Sequence, residues 1–241
     1  MDKQAGKWEP LGKKAKVFVT PAHRFTTDTL LLADFAAPRG GDVCADFGTG
    51  CGAIPLLWAA RNQPKKIYAV ELQEEALSQA RQSVEACGFP IELVGGDIRE
   101  HRALFPGGSL DLIACNPPYK ALGTGLKNAD DGRKLARHEE TLTLEALAEA
   151  ARFCLKFGGR LCICQRPERL TDAMALFRDS ALEPKILRLV QARGGKAPSL
   201  FLLECRRGGN PGLRILPTLM LEENGAASPE LLRIYGDYKD H

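Results

Sequence analysis

Apolar positions along this chain change period repeatedly, from alternate residues to every third or fourth, and each change separates a strand from a helix. Asp42–Phe47 is a first short, mainly apolar run, followed across three glycines by the helical stretch Ala53–Ala60. Lys65–Glu71 reads as a second strand, and Gln73–Cys87 as a helix stopped at Gly88. Pro90–Val94 and Leu110–Cys115 are the third and fourth strands. A helix is expected from about Glu139 to Leu155, where Leu142, Leu144, Leu147, Ala151 and Leu155 form a broad apolar face, with Gly158-Gly159 ending it. Arg160–Gln165 is then a fifth strand, and Pro167 opens a helix to about Ser180. Ile186–Val190 and Ser199–Cys205 are the last two strands, joined by residues 191–196. The alternation predicts an α/β fold with a seven-stranded, mostly parallel sheet and helices on both faces. The closing hairpin supplies one antiparallel strand.

Both ends add to this core. Lys13, Lys14 and Lys16 beside Val17-Phe18-Val19 predict a basic, extended arm. Arg24-Phe25-Thr26-Thr27-Asp28 precedes an apolar helix, Leu30–Ala36, and its Thr/Asp cluster suits an N-cap. After Arg207 come Leu213, Ile215, Leu219 and Leu221, a turn at Glu223-Asn224-Gly225, and a last helix begun by Ser228-Pro229. The division expected is 1–37 for the arm and capping helix, 38–207 for the core and 208–241 for an extension packed on it. Asp237–His241 reads as part of an epitope tag and is set apart from the functional residues.

Composition narrows the class of protein. The chain has 241 residues, 44% of them hydrophobic, which suffices for one substantial core. No stretch approaches the roughly 20 apolar residues that cross a membrane, and no apolar signal segment follows the charged start. Cys44, Cys115, Cys162 and Cys164 fall inside apolar strands without a Cys-x-x-Cys or His pair, so reduced, buried thiols are expected and a zinc site is not. That usage points to the cytoplasm. Thirty-three basic against thirty acidic residues give a net charge of +3, which does not identify a partner by itself.

Two stretches carry chemistry. Asn116-Pro117-Pro118-Tyr119 closes the fourth strand with a carboxamide acceptor, stiff proline carbonyls and a flat ring, a set that suits a planar group bearing an NH2. The plain alternative is a proline-terminated strand with a hydrophobic Tyr. Asp46-Phe47-Gly48-Thr49-Gly50-Cys51-Gly52 is a glycine-rich strand-to-helix turn that lets backbone approach a ligand. Its G-x-G-x-G spacing differs from the phosphate-cradling pattern, which disfavours nucleoside triphosphates. Glu71 ends the second strand, where a carboxylate can take both ribose hydroxyls of an adenosine in a Rossmann-like unit. Asp97 can accept from an adenine amine with Ile98 packing on the ring, or it can simply cap a short helix running to Leu104.

The order of these signals resembles the class I S-adenosylmethionine-dependent methyltransferases. The resemblance implies S-adenosyl-L-methionine held by Thr26, Asp46, Gly48, Gly50, Glu71, Asp97, Ile98 and Asn116, and chemistry carried by Asn116, Pro117, Pro118 and Tyr119. Arg24 to Ala33, Arg137-His138-Glu139 and Arg166-Pro167-Glu168-Arg169-Leu170 extend it to the tRNA adenine-N6 methyltransferases acting on A37 of a valine tRNA. The first loop departs from the family's usual Leu and Ser, with Phe47 and Thr49 in those places. The partner implied is a tRNA, and Lys134, Arg137, Arg193 and Lys196 are the basic residues expected to meet it. A glutamine-N5 methyltransferase of proteins, a DNA adenine methyltransferase and a non-catalytic cofactor-binding scaffold are the alternatives. The first usually carries an extra N-terminal helical domain, for which the residues before the first strand leave little room, and the second a target-recognition domain, which is not expected here.

Overall fold

The structure, a computed structural model, describes residues 6–117 and 142–236. Strands β3 (Val43–Phe47), β4 (Lys66–Glu71), β5 (Ile91–Gly95), β6 (Leu110–Cys115), β7 (Leu155–Gln165), β8 (Leu182–Gln191) and β9 (Pro198–Arg207) build the central sheet. Their spatial order is β5-β4-β3-β6-β7-β9-β8, with β9 antiparallel to both neighbours and the other pairs parallel. The expected seven strands and single antiparallel member are therefore present. Two short additions, β10 (Arg214–Ile215) and β11 (Leu219–Met220), pair with β8 and bring the sheet to nine. The chain moves outward from β3 to β5 and returns to β6 on the other side of β3. That reversal opens a crevice at the carboxyl ends of β3 and β6.

Alternation along the strands fills two cores. On one face Cys44, Ala69, Leu112, Ala114, Cys162 and Cys164 meet helices α1 (Thr27–Ala36), α2 (Ala53–Arg61) and α3 (Glu74–Cys87). On the other, Phe47, Val70, Ile113, Leu161 and Ile163 meet α5 (Leu144–Cys154) and α6 (Leu170–Asp179), with the short α4 (His101–Leu104) beside them. Strands buried on both faces need apolar residues at successive positions, which is why β6 is continuously hydrophobic from Leu112 to Cys115. All eight cysteines are free, and seven are buried. Burial pushes the thiols of Cys44, Cys51 and Cys154 up to about 12, so they pack as small hydrophobes.

Several boundaries differ from the sequence-based expectation. The N-terminal arm is not a lone extended segment: β1 (Lys7–Pro10) pairs with β2 (Lys16–Val19) as an antiparallel hairpin. Helix α1 begins at Thr27, earlier than Leu30. Within the described residues α5 runs from Leu144, capped by the Thr143 hydroxyl, and ends at Cys154; the expected first residues, 139–141, lie outside them. Gly158-Gly159 does not stop that helix but sits within β7, at a bulge where the register shifts between Leu110 and Leu112. A Cβ on Gly159 would stand 2.9 Å from the Lys156 carbonyl, so the bulge demands glycine there. Strand β8 starts at Leu182, through Pro184, because a second register shift at Pro184/Ile186 accommodates the missing donor.

The tail closes against α1. After the small hairpin β12 (Glu222–Glu223) and β13 (Ala226–Ala227), Ser228 caps α7 (Pro229–Tyr235), accepting from Leu231 N. Tyr235 Oη lies 2.8 Å from Thr27 Oγ1, and the Arg233 guanidinium pairs with Asp34. Among the described residues no helix is long and apolar enough to cross a membrane.

Candidate functional site

One cavity of about 380 Å³ occupies the crevice at the carboxyl ends of β3, β4 and β6. Its floor is the glycine-rich turn after β3. Gly48 N and Thr49 N both donate to the Val70 carbonyl, at 2.9 and 3.0 Å, which folds the turn back onto β4. Gly48 has φ +76°, a left-handed conformation that a side chain would strain, and Leu142 packs against the same residue. Glu71, buried at the end of β4, completes the floor. Its Oε2 accepts from Gly50 N at 2.8 Å and its Oε1 from Gln73 N at 2.9 Å. Each oxygen retains acceptor capacity beyond these bonds, since a carboxylate offers about four lone-pair sites.

Asp46 is the second acid of the floor, with 1% of its surface exposed. Its Oδ1 and the neighbouring Thr49 Oγ1 are buried and without a hydrogen-bond partner. Burial pushes the Asp46 carboxyl up to about 7, and the charge of Glu71 adds to the rise. The Thr49 hydroxyl opposes it from nearby, though it lacks the geometry of a full hydrogen bond. Orphaned buried oxygens are unusual in native interiors, and here both border a cavity large enough to bring them a partner.

The walls come from three further segments. Asn116 follows β6, half-buried, and its Nδ2 makes a long contact of 3.5 Å to Thr29 Oγ1 in the first turn of α1. Asp97 caps a 3₁₀ turn (Ile98–Glu100), accepting from Arg99 N at 2.9 Å, and its other oxygen is held by the Arg99 guanidinium. That hydrogen bonding holds the Asp97 carboxyl below its ordinary value. The capping alternative for Asp97 is thus realised, while the residue and Ile98 still line the cavity. The roof is the segment Ala22–Phe25 with Thr29.

The sequence-derived residues Asp46, Gly48, Gly50, Glu71, Asp97, Ile98 and Asn116 therefore converge on one space. Thr26 does not join them: it stands at the N-cap of α1 with its backbone N donating to Thr29 Oγ1 at 3.3 Å. Its neighbours His23, Arg24, Phe25 and Thr29 line the cavity instead, as do Leu72, Gln73 and Leu142. Pro117 is buried beside Asn116, whereas Pro118, Tyr119, Lys134 and Arg137 lie outside the described residues. Arg193 and Lys196 are exposed in the β8–β9 turn. Because β8 is parallel to β7, that turn lies at the same edge of the sheet as the cavity.

Comparison with known proteins agrees with this geometry. Residues 14–178 match the family model "Methyltransferase small domain". The chain is 32% identical over 221 residues to the tRNA1(Val) (adenine(37)-N6)-methyltransferase of Tolumonas auensis, covering 90% of each chain. It is 33% identical to the protein of the same description from Porphyromonas gingivalis, over 88% of this chain and 87% of that one. The chain belongs to the tRNA1(Val) (adenine(37)-N6)-methyltransferase family. Solved structures share its fold: a predicted O-methyltransferase from Agrobacterium tumefaciens aligns with TM-score 0.70 at 22% identity, over 88% of this chain and 96% of that one. The 16S rRNA N2 G1207 methyltransferase of T. thermophilus, in complex with AdoMet and guanosine, aligns with TM-score 0.60 at 18% identity, over 84% of this chain and 50% of that one.

The donor set of the cavity fits S-adenosyl-L-methionine. The ligand is cationic at sulfur and at its amino group, and the floor carries two carboxyls, one with an unpartnered oxygen. A methionine chain and a nucleoside also need backbone at close range and apolar walls, which Gly48, Gly50, Ile54, Val70 and Ile98 provide. The volume lies within the range of small-molecule sites, roughly 300–1,000 Å³. No group of three or more His, Cys, Asp or Glu among the described residues could hold a metal ion.

Proposed function

We propose that this protein methylates the exocyclic N6 of an adenine in tRNA, at A37 of tRNA1(Val), with S-adenosyl-L-methionine as donor. The observation that carries the reading is Asn116, set at the end of β6 on the wall of a cavity floored by two carboxyls, in a chain of this family. Glu71 and Asp97 would hold the nucleoside of the cofactor, and Asp46 with the backbone of Gly48 and Gly50 its methionine part. Bound there, S-adenosyl-L-methionine supplies a methyl group activated by a sulfonium centre.

The chain's own residues have to make a poor nucleophile react. The lone pair of adenine N6 is delocalised into the ring. Asn116 Oδ1 and the Pro117 carbonyl accept from its two N–H groups, which favours tetrahedral nitrogen and aims the lone pair into the cavity. Tyr119 supplies a stacking face for the base, worth about 1–3 kcal/mol in comparable contacts. Neither acceptor is a strong base, so their contribution is orientation. A base in a loop is also cheaper to unstack than one in a duplex. Arg193 and Lys196, with Lys134 and Arg137, would meet the phosphates. Action on tRNA implies work in the cytoplasm, and the eight free cysteines suit a reducing compartment.

The test is mass spectrometry of nucleosides from tRNA1(Val) of a strain lacking the gene. The reading expects N6-methyladenosine to vanish from position 37 and to return with the intact gene. Its persistence would defeat the assignment, and loss of methylglutamine from a protein instead would move the activity to an amide substrate.

A further inference from the structure

The roof of the cavity is held from outside the site. Helix α3 turns a strip of polar side chains at every fourth position, Gln79, Ser83 and Cys87, toward the edge of β2 and the segment that follows it. Cys87 Sγ accepts from Lys16 N at 3.4 Å and donates to the Lys16 carbonyl at 3.2 Å. Ser83 Oγ accepts from Phe18 N at 3.0 Å and donates to the Gln79 carbonyl at 3.0 Å. Gln79, only 3% exposed, is the most engaged of the three. Its Nε2 donates to the carbonyls of Phe18 and His23, both at 2.7 Å, and its Oε1 accepts from Thr20 Oγ1 at 3.1 Å. A helix thus supplies, through side chains, the partners that a neighbouring strand would give to backbone.

We infer that Gln79 is a positioning residue for the roof, fixing Thr20–His23 so that His23, Arg24 and Phe25 close over the cofactor cavity. Three bonds converge on one carboxamide, and they span a tight turn in which Thr20 N donates to the His23 carbonyl and His23 N to Thr20 Oγ1. The residues immediately after that turn line the cavity, whereas Gln79 itself does not. No other single side chain among the described residues makes hydrogen bonds to both Phe18 and His23. Removing the carboxamide takes one donor each from the carbonyls of Phe18 and His23, of which His23 keeps Thr20 N, and this lowers the population of the closed roof and weakens whatever it covers. The chemical step is untouched, because Asn116 reaches the cavity from β6.

Gln79→Met keeps the length and apolar stem while deleting every bond. Hydrogen exchange of the full chain should show the amides of residues 18–25 opening about tenfold faster, with β3 and β4 unchanged. S-adenosyl-L-methionine affinity by calorimetry should fall about tenfold, and single-turnover transfer at saturating cofactor should stay within about twofold. Unchanged protection in 18–25, or unchanged affinity, would overturn the inference. Should Gln79→Met unfold, Thr20→Ala decides: it removes the half-buried hydroxyl at the other end of the network, and local loosening with weaker cofactor binding supports the anchor, while the absence of both effects overturns it. The affinity measurement rests on the proposed function. Failure of the unmutated protein to bind S-adenosyl-L-methionine would sink that function and leave the exchange result to judge the anchor.

Discussion

The floor and the roof of the cavity are made in different ways. The floor is local: Gly48, Gly50, Val70 and Glu71 bond to each other across two adjacent parallel strands, and positive-φ glycines permit the turn. The roof is borrowed: Thr20–Phe25 is held by Gln79, 56 residues away along the chain from His23, and Thr27 by Tyr235, 208 residues away. The floor should therefore be stiff and coupled to the stability of the sheet. The roof should open without unfolding it, as binding elements of low local stability do.

Removing Asn116 should have the largest effect and belongs to neither region, since it separates chemistry from containment. Asn116→Ala should slow single-turnover methyl transfer at least 100-fold, the scale seen when one positioned polar group is lost from an active site. Calorimetry should find S-adenosyl-L-methionine affinity within about twofold of the unmutated protein. A matching loss of affinity would mean that Asn116 serves the cofactor rather than the amine.

Glu71→Ala breaks the floor. Gly50 N and Gln73 N lose their acceptor, so denaturant unfolding should show a loss of about 1–3 kcal/mol together with cofactor affinity reduced tenfold or more. The contrast with Gln79→Met is the informative part. Floor damage should appear in both stability and affinity, and roof damage mainly in affinity. Equal stability losses would erase the distinction between the two regions.

Asp46 makes the floor sensitive to pH. Burial holds its carboxyl at about 7, above the ordinary value, so the folded protein keeps a proton that the unfolded chain releases at lower pH. That contribution to stability is full below the unfolded value of about 4 and is lost as pH rises through about 7. Asp46→Asn has no such proton to lose. Its stability relative to the unmutated protein should rise by about 1–3 kcal/mol between about pH 5 and about pH 8, read from urea unfolding at each pH. A pH-independent difference would mean that Asp46 is ionised throughout.

The smallest effect lies outside the cavity. Arg193→Glu with Lys196→Glu should weaken tRNA binding and reduce the log–log salt slope by about 0.7–0.9 for each phosphate that these side chains neutralise. Cofactor affinity should not change. An unaltered slope would place the RNA on another face of the molecule.

The same contrast explains what could be read from the sequence. Strands β3 to β9 were legible because apolar runs and glycine turns are written locally, and so was the convergence of Gly48, Gly50, Glu71, Asp97 and Asn116, each at or shortly beyond the end of a strand. Hairpin β1–β2 was not, since Lys7–Pro10 has no alternation strong enough to announce a strand, and its pairing with Lys16–Val19 gives it one. The sequence places the start of β7 at Arg160 rather than Leu155 because Gly158-Gly159 looks like a helix stop, although the pair serves a bulge within that strand. Thr26 as a cofactor residue rests on the family resemblance alone; its capping signal is the part that is local, and the faces that bring Arg24, Phe25 and Thr29 to the cavity are not written in the sequence. Gln79 carries no local signal at all: an isolated Gln on an amphipathic helix looks like solvent-facing surface until its three distant partners are known.

If the cavity serves one adenine amine in tRNA, replacing that adenine should abolish transfer. The most direct measurement is single-turnover transfer from S-adenosyl-L-methionine to unmodified tRNA1(Val), beside the same tRNA with A37 replaced by guanosine, followed by nucleoside mass spectrometry. One N6-methyladenosine per tRNA is expected, at position 37, with no transfer to the substituted RNA. Equal transfer to both RNAs, or methyl groups found only on protein glutamine, would contradict that expectation.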